Sequence, residues 1–405
     1  MPESTTCVIA GGGPAGMIAG LLLARAGVQV TVLEKHGDFL RDFRGDTVHP
    51  TTLELLDELG LIDEFNATPH STIHGLVVHG EDGEPTKLVD ISRLNVKYPY
   101  VAIAPQWDFL NLLADAGSRE PTFRLITNAE VTDLVHERDR IVGVRYTKEA
   151  AEHELLADLT IAADGRWSTI RTQTHLPVTS YNVPIDLWWF RLNTTEPVGE
   201  AILPTSANCK LFIAIPRKGY VQMAHIIPKG SNDRLRAQGL QPLRAAAAKG
   251  VPEVAASVDD LTWDDVKLLE VELNRLSTWY RDGLLLIGDA AHAMSPIGGV
   301  GVNLAVQDGV AAARILAEPL LTRTLSLGDL AAVQKRREEA AVFTQRLQRV
   351  MHRVLKPLVN RNNGLVVPRP LRWVMERFPG LGKVPARLLL YGRTPEHAPD
   401  FARRP

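Results

Sequence analysis

Residues 288–303 read Gly-Asp-Ala-Ala-His-Ala-Met-Ser-Pro-Ile-Gly-Gly-Val-Gly-Val-Asn, a set of residue types suited to holding an anion. Gly298, Gly299 and Gly301 let backbone N–H groups approach a ligand closely. The helical pattern that begins near Val302 adds the partial positive charge of a helix N-terminus. Taken alone, the stretch is a glycine-rich turn. Two further stretches change that reading.

The first is Gly11-Gly12-Gly13-Pro14-Ala15-Gly16, which follows the apolar run Thr6-Cys7-Val8-Ile9-Ala10 and precedes ten residues of helical composition from Met17. Strand, Gly-x-Gly-x-x-Gly and helix in that order form a dinucleotide cradle. Gly11 makes the tight turn, Gly13 lets a pyrophosphate approach, and Gly16 lets the helix pack on the strand. A second strand pattern over residues 28–33 ends at Glu34, with Lys35 beside it. A carboxylate there accepts ribose hydroxyls and repels a 2′-phosphate, so FAD or NAD is expected rather than NADP. The second stretch is Asp164-Gly165, which closes the strand pattern 157–162 and by itself is an ordinary turn.

Other polar residues stand near these. Arg44 lies in a polar loop before the helical run 51–59, and its fork of donors suits phosphate or flavin oxygens. Gln106 opens an amphipathic helix pattern, and Val131, early in the strand pattern 130–136, is counted with the cofactor contacts. Residues 187–191, 210–215 and 220–227 are β-branched and aromatic and are separated by Pro and Gly turns. They predict an antiparallel sheet roofing an apolar cleft, with Trp188, Phe190, Phe212 and Met223 as lining. Arg191, Gln222 and His225 are the candidate substrate contacts, although His225, alternating with Met223 and Val221, reads equally as a core histidine.

The elements that must position these residues belong to an ordinary globular chain of 405 residues, 45% hydrophobic, with a net charge of −2. That balance gives no reason to expect a nucleic-acid partner. Cys7 and Cys209 form no metal-ligand spacing, so no metal is expected, and with no apolar run of membrane-spanning length a cytoplasmic protein is the expectation. From Met351 onward the tail carries eleven Lys or Arg against three acidic residues. It reads as helices docked by their apolar faces, with a peripheral membrane or partner surface as the less favoured alternative.

In combination, the 11–16 loop with Glu34, the Asp164-Gly165 turn and the Gly288-Asp289 stretch resemble the three fingerprints of the single-component FAD-dependent aromatic hydroxylases, the p-hydroxybenzoate hydroxylase-like monooxygenases. The resemblance covers most of residues 5–317. It implies an α/β fold (α+β by some schemes): a Rossmann-like FAD-binding domain over 1–72, 100–175 and 276–325, interrupted by an antiparallel-sheet substrate domain over 73–99 and 176–275. A C-terminal helical segment over 326–405 completes it.

The resemblance further implies that Arg44 and Gln106 contact FAD, that Asp289 holds a ribitol hydroxyl, and that Asp164 and Gly165 serve FAD and the nicotinamide nucleotide. Pro296 then lies beside the flavin ring, with the N–H groups of 299–303, from Gly299 through Gly301 and Val302 to Asn303, at its reactive end. The expected reaction is hydroxylation of a small aromatic substrate with NAD(P)H and O2 through a flavin hydroperoxide, with no side-chain nucleophile. NAD(P)H visits transiently, since no second dinucleotide fingerprint occurs. Val300 stands where many members have Gln, and neither a halogenase Trp-x-Trp signature nor a thioredoxin-like C-terminal domain is expected. A reductase or dehydrogenase without oxygen insertion, and a non-enzymatic flavin redox sensor, remain alternatives. Substrate identity and oligomeric state are unreadable.

Overall fold

The computed structural model describes residues 3–39, 47–79, 85–196, 198, 201–207, 210–360, 373, 377 and 383–404. Arg44 and Cys209 lie outside the described residues. Buried, mostly apolar runs form the strands Val30–Leu33 and Leu284–Leu286 and the second half of Glu3–Ala10, as sequences buried on both faces of a parallel sheet must, while the edge strand Phe123–Ile126 carries an exposed Arg124. With Ala151–Ala162 they build the heart of an eight-stranded sheet. Its order runs Tyr280–Arg281, Leu284–Leu286, Ala151–Ala162, Glu3–Ala10, Val30–Leu33, Phe123–Ile126, and the hairpin Glu130–Glu137/Arg140–Lys148 extends from Ala151–Ala162. All neighbours from Leu284–Leu286 to Phe123–Ile126 are parallel.

Helices Pro14–Arg25, Gln106–Ser118 and Gly301–Thr322 cover one face and share a core with Ile9, Val32 and Ile161. Pro14–Arg25 and Gly301–Thr322 approach so closely that a Cβ on Gly309 would sit 2.7 Å from Ala15 O.

A seven-stranded sheet forms the second layer, in the order Lys267–Leu269, Ile185–Asn193, Tyr220–Pro228, Lys210–Arg217, Ala201–Ala207, Gly75–His79, Pro85–Asp90. Side chains alternate across it. Trp188, Phe190, Phe212 and Met223 face one way and pack with helix Gln241–Gly250. Leu187, Leu211 and Ile226 face the other way and pack against Met294 and Ile297. The expectation that the first four line the cleft is therefore corrected: they lie on the sheet face turned away from the cofactor fingerprints, one residue out of phase. Periodicity of two identifies the alternation and not which set faces the partner layer.

The helix Leu327–Asn360 runs along the molecule, and a shorter one, Lys383–Leu390, docks with Leu390 buried among Ile73, Ile103 and Ile215. Among the described residues no helix is long and apolar enough to cross a membrane.

Candidate active site

The sheet order brings the fingerprints together. Parallel neighbours end on the same edge, so residues 288–289, 164–165, 11–16 and Glu34 follow four adjacent strand ends. Backbone bonds carry the edge past the strands: Gly11 N–H to Leu33 O at 2.8 Å, Ala163 N–H to Ala10 O at 2.8 Å, and Ile287 N–H to Ala162 O at 3.0 Å. Gly11 has φ +105°, and a Cβ there would sit 2.4 Å from Ala163 O, so only glycine fits. Gly16 is equally confined, its would-be Cβ 2.1 Å from Gly11 O. A Cβ at Gly13 would instead meet nothing within 4 Å. That open space lies at the N-terminus of helix Pro14–Arg25, where an anionic pyrophosphate is stabilised.

Glu34 is buried, and its carboxylate accepts N–H bonds from Gly12 (2.8 Å) and His36 (3.1 Å), which pins the end of its strand to the glycine loop. Lys35 next to it is exposed. Gln106 begins its helix half-buried, and Val131 is half-buried against the core beneath the fingerprints.

Asp164 accepts the Ile170 N–H at 3.3 Å through Oδ2, while its Oδ1 is buried with no hydrogen-bond partner. Burial raises its pKa against the opposing hydrogen bonds from Ser168 and backbone. Gly165 beside it has φ +84°. Across the edge, Asp289 is one-third exposed, with Oδ2 3.6 Å from an Arg166 guanidinium nitrogen. Gly288 (φ +59°) presses against Ala15, which joins the first and third fingerprints.

Beyond Pro296, Gly299 (φ +62°) is held by Thr47, whose hydroxyl donates to Gly299 O at 2.8 Å. Helix Gly301–Thr322 starts immediately afterwards, at Gly301 and Val302, so its unpaired N–H groups face this loop. The Asn303 side chain is committed elsewhere, accepting from Thr51 (2.7 Å) and Thr52 (2.8 Å). His49, at the start of the helix Pro50–Glu58 that carries Thr51 and Thr52, is buried with Nδ1 3.1 Å from Leu390 O; burial lowers its pKa to about 4, so it is neutral near pH 7.

These features fit FAD: room at Gly13, an orphaned carboxylate oxygen at Asp164, a partly open Asp289 and a helix N-terminus lie along one edge. A family model described as an FAD binding domain matches residues 4–346. The 6-methylpretetramide 4-monooxygenase of Streptomyces rimosus is 33% identical over 357 residues, covering 87% of this chain and 84% of that protein. The chain belongs to the FAD-dependent aromatic monooxygenases.

The para-nitrophenol 4-monooxygenase of Pseudomonas sp. (strain WBC-3) is a further relative of this monooxygenase, 25% identical over 329 residues, covering 78% of this chain and 77% of that one. Among solved structures, the anhydrotetracycline hydroxylase OxyS from Streptomyces rimosus superposes with a TM-score of 0.74 at 23% identity, over 96% of this chain and 76% of that one. That likeness supports the fold.

The candidate substrate contacts of this monooxygenase divide. His225 lies on the outward face, its ring against Phe212 (4.8 Å) and Trp188 (5.7 Å), Nδ1 3.1 Å from Leu211 O, and its pKa lowered by burial to about 4. It is a core histidine, the alternative the sequence left open. Arg191 and Gln222 are register partners on the cleft face, where Gln222 Oε1 accepts from Arg217 at 2.6 Å.

Sequence reasoning missed Trp189. It is half-buried where the Met294/Ile297 cluster meets the Ile215/Leu390 cluster, and its Nε1 is buried without a partner. Its pairing with Trp188 hid it, since only one of two adjacent indoles can face the cleft.

Beneath the 288–294 loop, Asp308 joins a buried network. It accepts from Gly288 N–H (3.0 Å), His292 Nε2 (2.6 Å) and Arg337 Nε (3.0 Å), and Arg337 also approaches Glu396 (3.7 Å).

Proposed function

We propose that this monooxygenase hydroxylates a fused-ring phenol, seated between the 294–299 loop and the cleft face of the seven-stranded sheet around Trp189 and Ile213. The relatives named for 6-methylpretetramide and anhydrotetracycline support that substrate class. The observation that carries the seat is the meeting of two apolar clusters at Trp189, with an unpaired indole N–H buried there. An apolar site with one unsatisfied donor favours a ring bearing an oxygen acceptor and rejects one lacking it.

The chain's own residues divide the remaining work. Gly11, Gly13, Pro14, Ala15 and Gly16 receive the pyrophosphate, and Glu34 faces the adenosine ribose. Asp164 Oδ1 takes the hydrogen bond that it otherwise lacks, and Asp289 holds a ribitol hydroxyl. Pro296 and Gly299 bound the ring, and the N–H groups from Val300 to Val302, at the start of helix Gly301–Thr322, oppose negative charge on its pyrimidine side, the Gly299 N–H being taken by Pro296 O at 3.0 Å. When bound, FAD supplies the redox chemistry, taking a hydride from transient NAD(P)H and delivering one atom of O2 to the ring. The apolar walls exclude water from that site.

A panel of phenols from one to four fused rings, assayed with NADH and with NADPH under oxygen-18, tests the reading. Fused-ring phenols accelerate nicotinamide oxidation and acquire the label in the product. Turnover without label favours dehydrogenation, and a preference for single rings removes the proposed substrate class.

A further inference from the structure

The helix Leu327–Asn360 buries a row of polar side chains where an amphipathic helix ordinarily buries apolar ones. Gln334, Arg337, Gln345, Gln348 and His352 are each less than a tenth exposed. Their spacing keeps them on one face. Gln334 serves the Trp279 N–H (3.0 Å) and Ser277 O (3.0 Å), and Gln345 Nε2 donates to Asn274 O (2.8 Å). The helix thus supplies hydrogen bonds that a neighbouring strand would give.

Gln348 does this on both sides of Pro296. Its Oε1 accepts the Ser295 N–H at 3.0 Å, and its Nε2 donates to Ser295 O at 2.7 Å and to Ile297 O at 3.0 Å. His352, one turn on, meets Ser295 Oγ through Nε2 at 3.0 Å. Proline contributes no N–H, so the backbone at this point cannot fix itself by its own ladder. One buried donor and two buried acceptors need a side chain carrying an acceptor and two donors together. Carboxylates only accept, Lys and Arg only donate, and a hydroxyl has one donor. Glutamine meets the requirement at the reach of a packed helix. Gln348 lies beyond residues 4–346, the span matched by the family model, so that match does not account for it.

We infer that Gln348 is a positioning residue of the reaction: it fixes residues 294–299, and through them the N–H groups that face the pyrimidine side of the flavin. The inference rests on the proposed seat of the ring at Pro296 and Gly299. Displacing the loop weakens the donors that stabilise the negative charge added on reduction. The bound flavin then becomes harder to reduce.

The test uses the FAD-loaded full chain and needs no substrate. Gln348→Met is compared with Gln345→Met, a change of the same kind at an equally buried position of the same helix, whose Nε2 serves Asn274 O (2.8 Å) and reaches Ala293 O (3.4 Å) but touches neither Ser295 nor Ile297. Flavin content, visible absorption and midpoint potential are read by dye-equilibrated reduction. Gln348→Met shifts the absorption bands and lowers the potential, whereas Gln345→Met lowers thermal stability and leaves both flavin signals in place. Should Gln348→Met fail to fold, Gln348→Glu carries the same test, since it keeps the acceptor for Ser295 N–H and sets an acceptor against two carbonyls. Unchanged flavin signals in the Gln348 variants, or equal shifts in the Gln345 variant, overturn the inference. Pro296→Ala separates the underlying premise: an unchanged spectrum there removes the ring from this loop, whatever Gln348 does.

Discussion

Replacing Asp308 by asparagine isolates the buried charge network beneath the Gly288-Asp289 loop. The carboxylate, 1% exposed on its side chain, is ion-paired at 3.0 Å to an Arg337 guanidinium whose side chain is 0% exposed. The amide preserves shape and keeps one acceptor oxygen, but it removes the anion and leaves the guanidinium with Glu396 at 3.7 Å as its nearest counter-charge. Stranding one member of a buried pair costs about 3–5 kcal/mol, a large part of the roughly 5–15 kcal/mol that holds a domain folded. Guanidinium unfolding at pH 7, followed by flavin release and by far-ultraviolet dichroism, reads that loss.

Acid adds a second, independent signature. Burial alone would raise the Asp308 pKa, but the charge and hydrogen bond of His292 and those of Arg337 outweigh it and hold the carboxyl below its ordinary value. A depressed folded pKa contributes stability that is present above the unfolded value, about 3.9, and is lost as pH falls through the folded value. The wild-type chain therefore has an acid-labile component below about pH 4 that D308N lacks. A variant within about 1 kcal/mol of wild type at pH 7, with the same acid slope, would show that Arg337 is neutralised by other groups and that Asp308 does not hold the loop.

Three further outcomes follow from the geometry. Gly13→Val leaves the fold intact, because its φ of −77° and open surroundings accommodate a side chain, yet it purifies without FAD; Gly16→Val, 2.1 Å from Gly11 O, lowers the melting temperature of the polypeptide itself. Asp289→Ala loses FAD on gel filtration, and full retention would remove the ribitol assignment. Trp189→Phe keeps FAD but raises KM for a phenol by about 5- to 150-fold, as losing a buried donor worth about 1–3 kcal/mol requires; an unchanged KM would take the indole N–H out of substrate contact.

The turns of the candidate cofactor edge were legible because each of their demands is local. A backbone turned to φ +105° against Ala163 O admits only glycine, so Gly11 is visible in the sequence as a residue type. Glu34 is legible for a similar reason, since it directly follows the short buried strand Val30–Leu33. Legibility fails where the determinant is a choice of partner. Nothing local tells whether Trp188 or Trp189 faces the 294–299 loop; the register Trp188↔His225 and Trp189↔Ala224 decides it, and those pairs are 37 and 35 residues apart. Likewise the buried glutamines of Leu327–Asn360 have the composition of a solvated face, and only the loop packed against them makes them interior.

These two kinds of determinant correspond to two mechanical problems. The proposed adenine end of the site sits on strand ends whose positions are fixed by parallel neighbours, so glycine turns alone complete it. The proposed ring end, residues 294–299, leaves the sheet altogether: it follows the last parallel strand, Leu284–Leu286, by several residues and contains Pro296 and two left-handed glycines, Gly298 (φ +84°) and Gly299 (φ +62°). Beyond one turn bond, Gly299 N–H to Pro296 O at 3.0 Å, and one local contact, Ile297 N–H to Ser295 Oγ at 3.4 Å, such a segment has little to order itself by, because its backbone groups have no ladder and its glycines lose the most entropy on folding. It is held from outside, by Thr47 on Gly299 O, by Leu389 against Gly298, and by Gln348 around Pro296. Those three anchors come from distant parts of the chain. With the flavin ring seated at residues 294–299 as proposed, that end of the site is the part most exposed to remote substitution, and variants of Thr47, Leu389 or Gln348 alter flavin reactivity while the fingerprints, and FAD binding with them, stay intact.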